Sequence, residues 1–194
     1  HASFTVPNFA EGYCTADNAR ALVLAMMLHR QGLSSPRLNE RAATYAAFLN
    51  HAFDRQRGRF HNFMSVERHW LDKIGSEDCQ GQSLWALGMC VAQAGQGSFQ
   101  QLAAELFELA LPVAAQFTSP RAWAFTLIGI DEYLRRFGGD RRASQIRESL
   151  TAKLMQRYAD AATDEWQWFE EVVSYANAKL PHAMILSGRC MNDD

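Results

Sequence analysis

Apolar and polar residues recur along this chain with the period of an α-helix, and strand alternation is almost absent. The first helical pattern runs from about 17 to 31. Its centre, ALVLAMML (21–28), is apolar on nearly every side, so that helix is expected to be enclosed by others. Gly32 then reads as a stop and Pro36 as a start, and 37–53 carry charge on one face only, as a surface helix does. The alternation repeats. Residues 79–94 are apolar, and 99–117 are amphipathic with Pro112 placed to kink or divide them. Residues 120–137 are apolar in their first half, and 140–159, after Gly138-Gly139, are strongly charged. A fourth apolar segment, NAKLPHAMILSG (177–188), closes the series.

An apolar inner helix followed by an amphipathic outer one, repeated, is what a ring of α-hairpins requires, because one helix of each pair faces the crowded middle and the other faces water. The inner starts fall near 17, 78, 120 and 176, a spacing too uneven for a solenoid of fixed period. The reading is therefore all-α, an α/α-hairpin toroid forming part of an (α/α)6 barrel, with residues 1–194 as one domain and as a piece of a longer chain. A plain helical bundle is the alternative architecture.

Composition narrows the function classes. Hydrophobic residues make up 48%, ample for a core, and 19 Lys+Arg against 21 Asp+Glu leave a formal charge of -2, which offers no footprint for a phosphate backbone. Nucleic acid is excluded as an expected partner. No stretch reaches the roughly 18–20 apolar residues of a membrane span and the start lacks the order of a signal peptide, so a cytoplasmic location is expected. Cys14, Cys79, Cys90 and Cys190 form no CxxC pair, and His29, His51, His61, His69 and His182 are dispersed. Neither a metal site nor a cofactor is expected.

The segments leading into the inner helices hold the unusual residues: GYCTADNAR, RGRFHNFMSVERHWLDKIGSEDCQGQ, FTSPRAW and DEWQWFEEVVSYANAK. All four belong at one end of such an assembly. Rings that can stack on a pyranose are supplied by Trp70, Trp123, Trp166, Trp168 and Tyr175, and polar partners for hydroxyls by Asp17, Asn18, His61, Asn62, Glu77, Asp78, Gln80 and Asn177. Glycoside cleavage adds a pair of carboxyl groups, one protonated and one ionised; Asp17, Glu77, Asp78, Glu170 and Glu171 are eligible. Bland readings stand beside these. Asp17 and Asp78 can serve as first-turn acids after Thr15 and Ser76, the pair at 170 and 171 as a solvated face, Trp85 and Trp123 as core, and His182 as packing. Arg20, one turn into an apolar helix, needs a carboxylate, and Asp17 or Glu77 could supply it.

The segments YCTADNARAL (13–22), GRFHNFMSVERHWLD (58–72), GSEDCQGQSLWALG (75–88) and WQWFEEVVSYANAKLPHAMI (166–185) resemble the six-hairpin glycosidase-like domain found as the C-terminal part of certain bacterial glycosyltransferase-like proteins. The resemblance implies an α/α toroid with a carbohydrate cleft at the inner-helix starts. By position it assigns to that cleft Asp17, Asn18, Arg20, His61, Asn62, Glu77, Asp78, Trp168, Glu170, Asn177 and His182. Ala16 and Ala176 stand where the pattern has acids. An oligosaccharide or glycoconjugate is the expected partner, with a glycosyltransferase domain in the same chain. The leading expectation is a glycoside hydrolase-like activity using Asp17 with Glu77 or Asp78. The alternatives are a glycan-binding module without catalysis and a helical protein-interaction scaffold. A terpenoid cyclase is disfavoured, since no DxDD or DDxxD run occurs.

Overall fold

The computed structural model of the chain describes residues 2–93 and 97–191. Its helices are α1 Thr15–Arg30, α2 Pro36–Ala52, α3 Glu77–Gln93, α4 Ser98–Ala110, α5 Pro120–Leu134, α6 Arg141–Ala161 and α7 Lys179–Met191. Residue 94, the expected end of the third helix, lies outside the described residues.

Short side chains begin most of these helices, as the free N–H groups of a first turn demand. The Ser35, Ser76 and Ser119 hydroxyls accept from the N–H groups of Leu38, Cys79 and Ala122, and the Asp140 carboxylate accepts from that of Ala143. Pro36 and Pro120 follow their caps, at the position where a missing N–H costs nothing. α1 has no such local cap. The Asn62 side chain, 46 residues away, accepts from the Ala16 N–H, and the Asn62 carbonyl accepts from that of Thr15 at 2.8 Å. α1 ends in a paired turn in which Gly32 N–H donates to His29 and Leu33 N–H donates to Leu28. Gly32 holds φ +75 there, open to glycine without strain. Pro112 divides the fourth segment as expected: α4 stops at Ala110 and a 3-10 helix runs over Leu111–Gln116.

α1 packs on α2 and α3, α3 on α4 and α5, and α5 on α6 and α7. The inner row is thus α1, α3, α5, α7, backed by α2, α4 and α6. α3 is buried without a break from Cys79 to Val91, the mark of a helix enclosed on every side. Cross-links fix the direction of the row. Near the helix starts Arg20 reaches Gln82, Glu77 reaches Ser119 and Arg121 reaches Glu170. Near the ends Arg30 reaches Glu132 and Cys190 reaches Asp131. The inner helices are therefore parallel, and residues 17, 78, 121 and 177 share one end. The fold is all-α, an α/α-hairpin toroid.

One expectation is corrected. α1 is not enclosed: Leu24 is 57% and Met27 48% exposed on the concave side of the row. An all-round apolar helix reports apolar surroundings but not which side stays open.

Short strands organise the loops: β1 Ala2–Ser3, β2 Val6–Pro7, β3 Tyr13–Cys14, β4 Phe53–Asp54, β5 Arg59–Phe60 and β6 Phe63–Met64. β1 pairs with β2, β4 with β5, and β3 with β6, all antiparallel, the last joining the long connection before α3 to the start of α1. No described helix is long and apolar enough to cross a membrane.

Candidate functional site

The loop before α3 spends its polar residues on itself. The Asp72 carboxylate accepts from the Asn62 and Phe63 N–H groups at 2.6–3.0 Å, and His61 Nδ1 lies 2.7 Å from the Asp72 carbonyl. The His61 ring stacks on Trp70 at 5.0 Å and 17°. Gln80, expected as a sugar partner, is fully buried and donates to the Phe60 carbonyl at 3.1 Å. Asn62 is buried as the distant cap of α1. Asn18 turns back to donate to the Cys14 carbonyl at 2.9 Å. In this arrangement these side chains hold the loop and helix starts, because each amide or imidazole already has a backbone partner.

Glu77 crosses from α3 to the next hairpin. Its carboxylate accepts from the Thr118 N–H at 2.8 Å and the Ser119 N–H at 2.7 Å. A carboxylate receiving two N–H groups is a clamp for the entry to α5, and of the two carboxylates that could pair Arg20 it is Asp17 that does. Glu77→Ala should cost about 2 kcal/mol, since a hydrogen bond to an ionised group contributes about 1.5–3 kcal/mol. Urea unfolding checks this, and an unchanged midpoint would dissolve the clamp.

Asp78 is half-buried beside it and accepts from the Ser119 hydroxyl at 3.0 Å. Burial pushes its carboxyl above the usual carboxylate range, against the opposing Ser119 bond and the Arg121 charge, while the Glu77 charge adds to the rise. Ser119 also connects this acid to Arg121, two residues on. The Arg121 guanidinium donates bidentately to Glu170 at 2.8 and 2.7 Å and through Nε to the Tyr175 carbonyl at 2.6 Å, with the Tyr175 ring 4.9 Å away. Glu170 and Glu171 therefore part company: one is paired in the interior and the other is exposed. Asp17 pairs with Arg20, whose other arm donates to the Gln82 amide oxygen at 3.3 Å.

A depression of about 320 Å³ opens on the concave side, lined by Arg20, Val23, Leu24, Met27, Gln82, Trp85, Phe125, Tyr175, Ala176 and Lys179. Its floor is apolar and its polar groups stand around it, the usual composition of a small-molecule site. Trp85 stacks on Phe125 at 6.1 Å and 9°, and Lys179 Nζ lies over the same indole at 4.1 Å. A larger opening of about 380 Å³, lined by Met26, His29, Asn39, Ala42, Ala43, Gln93 and Phe99, lies toward the other end and meets none of the nominated residues.

Of the nominated residues, Arg20 and Tyr175 line the depression; Asp17 joins it through Arg20, Glu170 reaches Tyr175 through Arg121, and Asp78 bonds Ser119, which is not in its lining. Trp166 is partly exposed and donates to the Glu170 carbonyl at 2.7 Å. Trp168 packs edge-on to Phe169, Asn177 accepts from the Ala178 N–H, and His182 is exposed on α7. Trp70 and Trp123 lie elsewhere, the former against His51 and His61 and the latter donating to the Phe117 carbonyl. Sequence reasoning missed Arg121, Gln82 and Lys179. Arg121 carried a usable signal, a guanidinium in an apolar helix start, the same argument that nominated Arg20. Among the described residues no three or more His, Cys, Asp and Glu side chains come together as a metal ion would need.

No protein-family model matches the chain, and no curated protein is significantly similar to it in sequence. Among solved structures, the chain is similar to cellobiose 2-epimerase from Spirochaeta thermophila DSM 6192, with a TM-score of 0.75 and 14% sequence identity. The match covers 98% of this chain and 56% of that one, so the chain spans a little over half the length of its structural neighbour. At that identity the likeness is one of fold: the inner and outer helices described above trace part of an (α/α)6 barrel.

Proposed function

We propose that this chain is a carbohydrate-active domain that receives a sugar in the depression between α1, α3, α5 and α7. The observation that carries the reading is the union of aromatic and hydrogen-bonding groups around an apolar floor between the inner helices: the exposed Tyr175 ring for a pyranose C–H face, with the buried Trp85 beneath Lys179, and Arg20 and Gln82 for hydroxyls. The structural neighbour is an epimerase named for a disaccharide, cellobiose, and by analogy of fold this favours a sugar over other small molecules.

The reaction we assign is glycoside hydrolysis. Asp78, whose carboxyl burial pushes above the usual carboxylate range, donates its proton to the leaving glycosidic oxygen as the C–O bond breaks. Asp17, paired with Arg20, supplies the second carboxylate, either attacking the anomeric carbon or taking a proton from the attacking water. Asp78 stands one helical turn before Gln82, and Asp17 one turn before Arg20, so both acids lie on the helix-start side of the Arg20–Gln82 bridge. A second reading is a glycan-positioning module, with a glycosyltransferase domain in the same chain. The committed carboxylates of Glu77 and Glu170 favour it, since neither is free to join the chemistry.

Titration calorimetry with cellobiose and a panel of β-linked oligosaccharides tests both readings. Binding is expected, with Tyr175→Ala weakening it about 3- to 10-fold, the worth of one aromatic contact. Asp78→Asn should leave affinity intact and lower turnover about 10²- to 10⁴-fold. Binding without turnover by the unaltered chain would select the positioning module, and no saccharide binding would refute both.

A further inference from the structure

The charges around the depression are unbalanced although the whole chain is slightly acidic. Its lining contains two cations and no acid: Arg20 on α1 and Lys179 at the start of α7 face it from different walls. Asp17 offsets Arg20 from outside the lining. Lys179 has no carboxylate partner among the described residues. Its ammonium rests 4.1 Å from the Trp85 ring, and burial pulls its pKa below the ordinary lysine range. An ammonium kept half-buried over an indole, beside an arginine that still has exposed surface, is a cation without its anion. The backbone helps to hold it there. Ala176, between Tyr175 and Lys179, is in the left-handed region at φ 51, a conformation uncommon for a residue with a Cβ, and its carbonyl accepts from the Lys179 N–H at 2.9 Å.

We infer that the depression selects an acidic sugar, a pyranose bearing a carboxylate, whose anion is held between Lys179 and Arg20. The inference rests on the carbohydrate reading above and adds the substrate class. With the ammonium drawn to the carboxylate, the indole face that it now covers becomes open to the C–H face of the ring. Lys179 then has two tasks: it covers the aromatic platform where it now lies, and with a sugar bound it reads the charge.

Calorimetry at low salt with methyl β-D-glucuronide, methyl β-D-glucoside and glucose 6-phosphate tests this. The glucuronide should bind about 10-fold more tightly than the glucoside, as expected for one added charge-assisted contact. Lys179→Met should bring the two to parity with the thermal midpoint preserved, and Lys179→Arg should restore the preference. Equal affinities for glucuronide and glucoside would overturn the inference and leave the carbohydrate reading standing, whereas silence with every sugar would remove both. Tight binding of glucose 6-phosphate without the glucuronide would replace the carboxylate by a phosphate, and a preference untouched by Lys179→Met would overturn the role given to that residue.

Discussion

Arg121→Met is expected to lower the thermal midpoint by on the order of 10 °C, from the roughly 3–5 kcal/mol lost when one member of a buried ion pair is removed. The side chains of Arg121 and Glu170 are only 8% and 15% exposed, so water cannot replace the missing partner. Methionine fills most of the arginine's volume but leaves the Glu170 carboxylate without its two N–H donors and the Tyr175 carbonyl without its one. Those bonds are what tie the connection between α6 and α7 to the start of α5. The variant should therefore be cleaved faster by protease within 162–178, where regular helix is absent. Arg121→Lys should recover part of the loss, since an ammonium cannot serve both carboxylate oxygens and the carbonyl together. Arg121→Met combined with Glu170→Leu should recover more, because the buried charge is then gone. A single Arg121→Met variant melting within 2 °C of the unaltered chain would show that the connection is held by something other than this pair.

The same pair marks the boundary between what the residues disclose in order and what only their assembly discloses. Local rules worked where the physics is local. Gly32, Pro36 and Pro112 end, start and divide helices as their backbone chemistry requires. The shared end of the inner helices followed from the alternation of inner and outer segments. Long-range partners were not legible. Asn62 reads as an amide for sugar hydroxyls, yet Cys14 cannot cap α1, and the uncapped N–H groups draw Asn62 from across the loop. Glu77 reads as a sugar partner and candidate catalytic acid and instead spans to Thr118 and Ser119, 41 and 42 residues on. Composition says that an acid near a helix start will find N–H groups, not whose. Lys179 went unnoticed because a lysine at a helix start reads as surface, and only the return of α7 against α5 brings it over Trp85.

Gly88→Ala should destabilise the chain by about 2–3 kcal/mol, in the upper part of the range for overpacked cores, and should do so although alanine is the better helix former by about 1 kcal/mol. Gly88 of α3 and Gly129 of α5 face one another where these two helices meet. A Cβ on Gly88 would overlap the Gly129 carbonyl oxygen, and one on Gly129 would lie 2.6 Å from the Leu84 carbonyl oxygen. Both obstacles are backbone, so no rotamer change relieves them and the helices must separate. Gly188 in α7 is the control, since a Cβ there meets nothing within 4 Å, and Gly188→Ala should be neutral or stabilising by up to about 1 kcal/mol. Opposite signs for the same chemical change isolate interhelical spacing from helix propensity. The spacing also reaches the site: Gly81, closer to the start of α3, sits against the Ala122 carbonyl oxygen, with a Cβ there only 2.8 Å away, so the two helices are in close contact along their length. Separating them should lengthen the Asp78–Ser119 bond and loosen Trp85 from Phe125, and saccharide affinity should then fall with stability. Gly88→Ala as stable as the unaltered chain would mean that α3 and α5 do not approach at these glycines, and the wall of the depression they form would have to be redrawn.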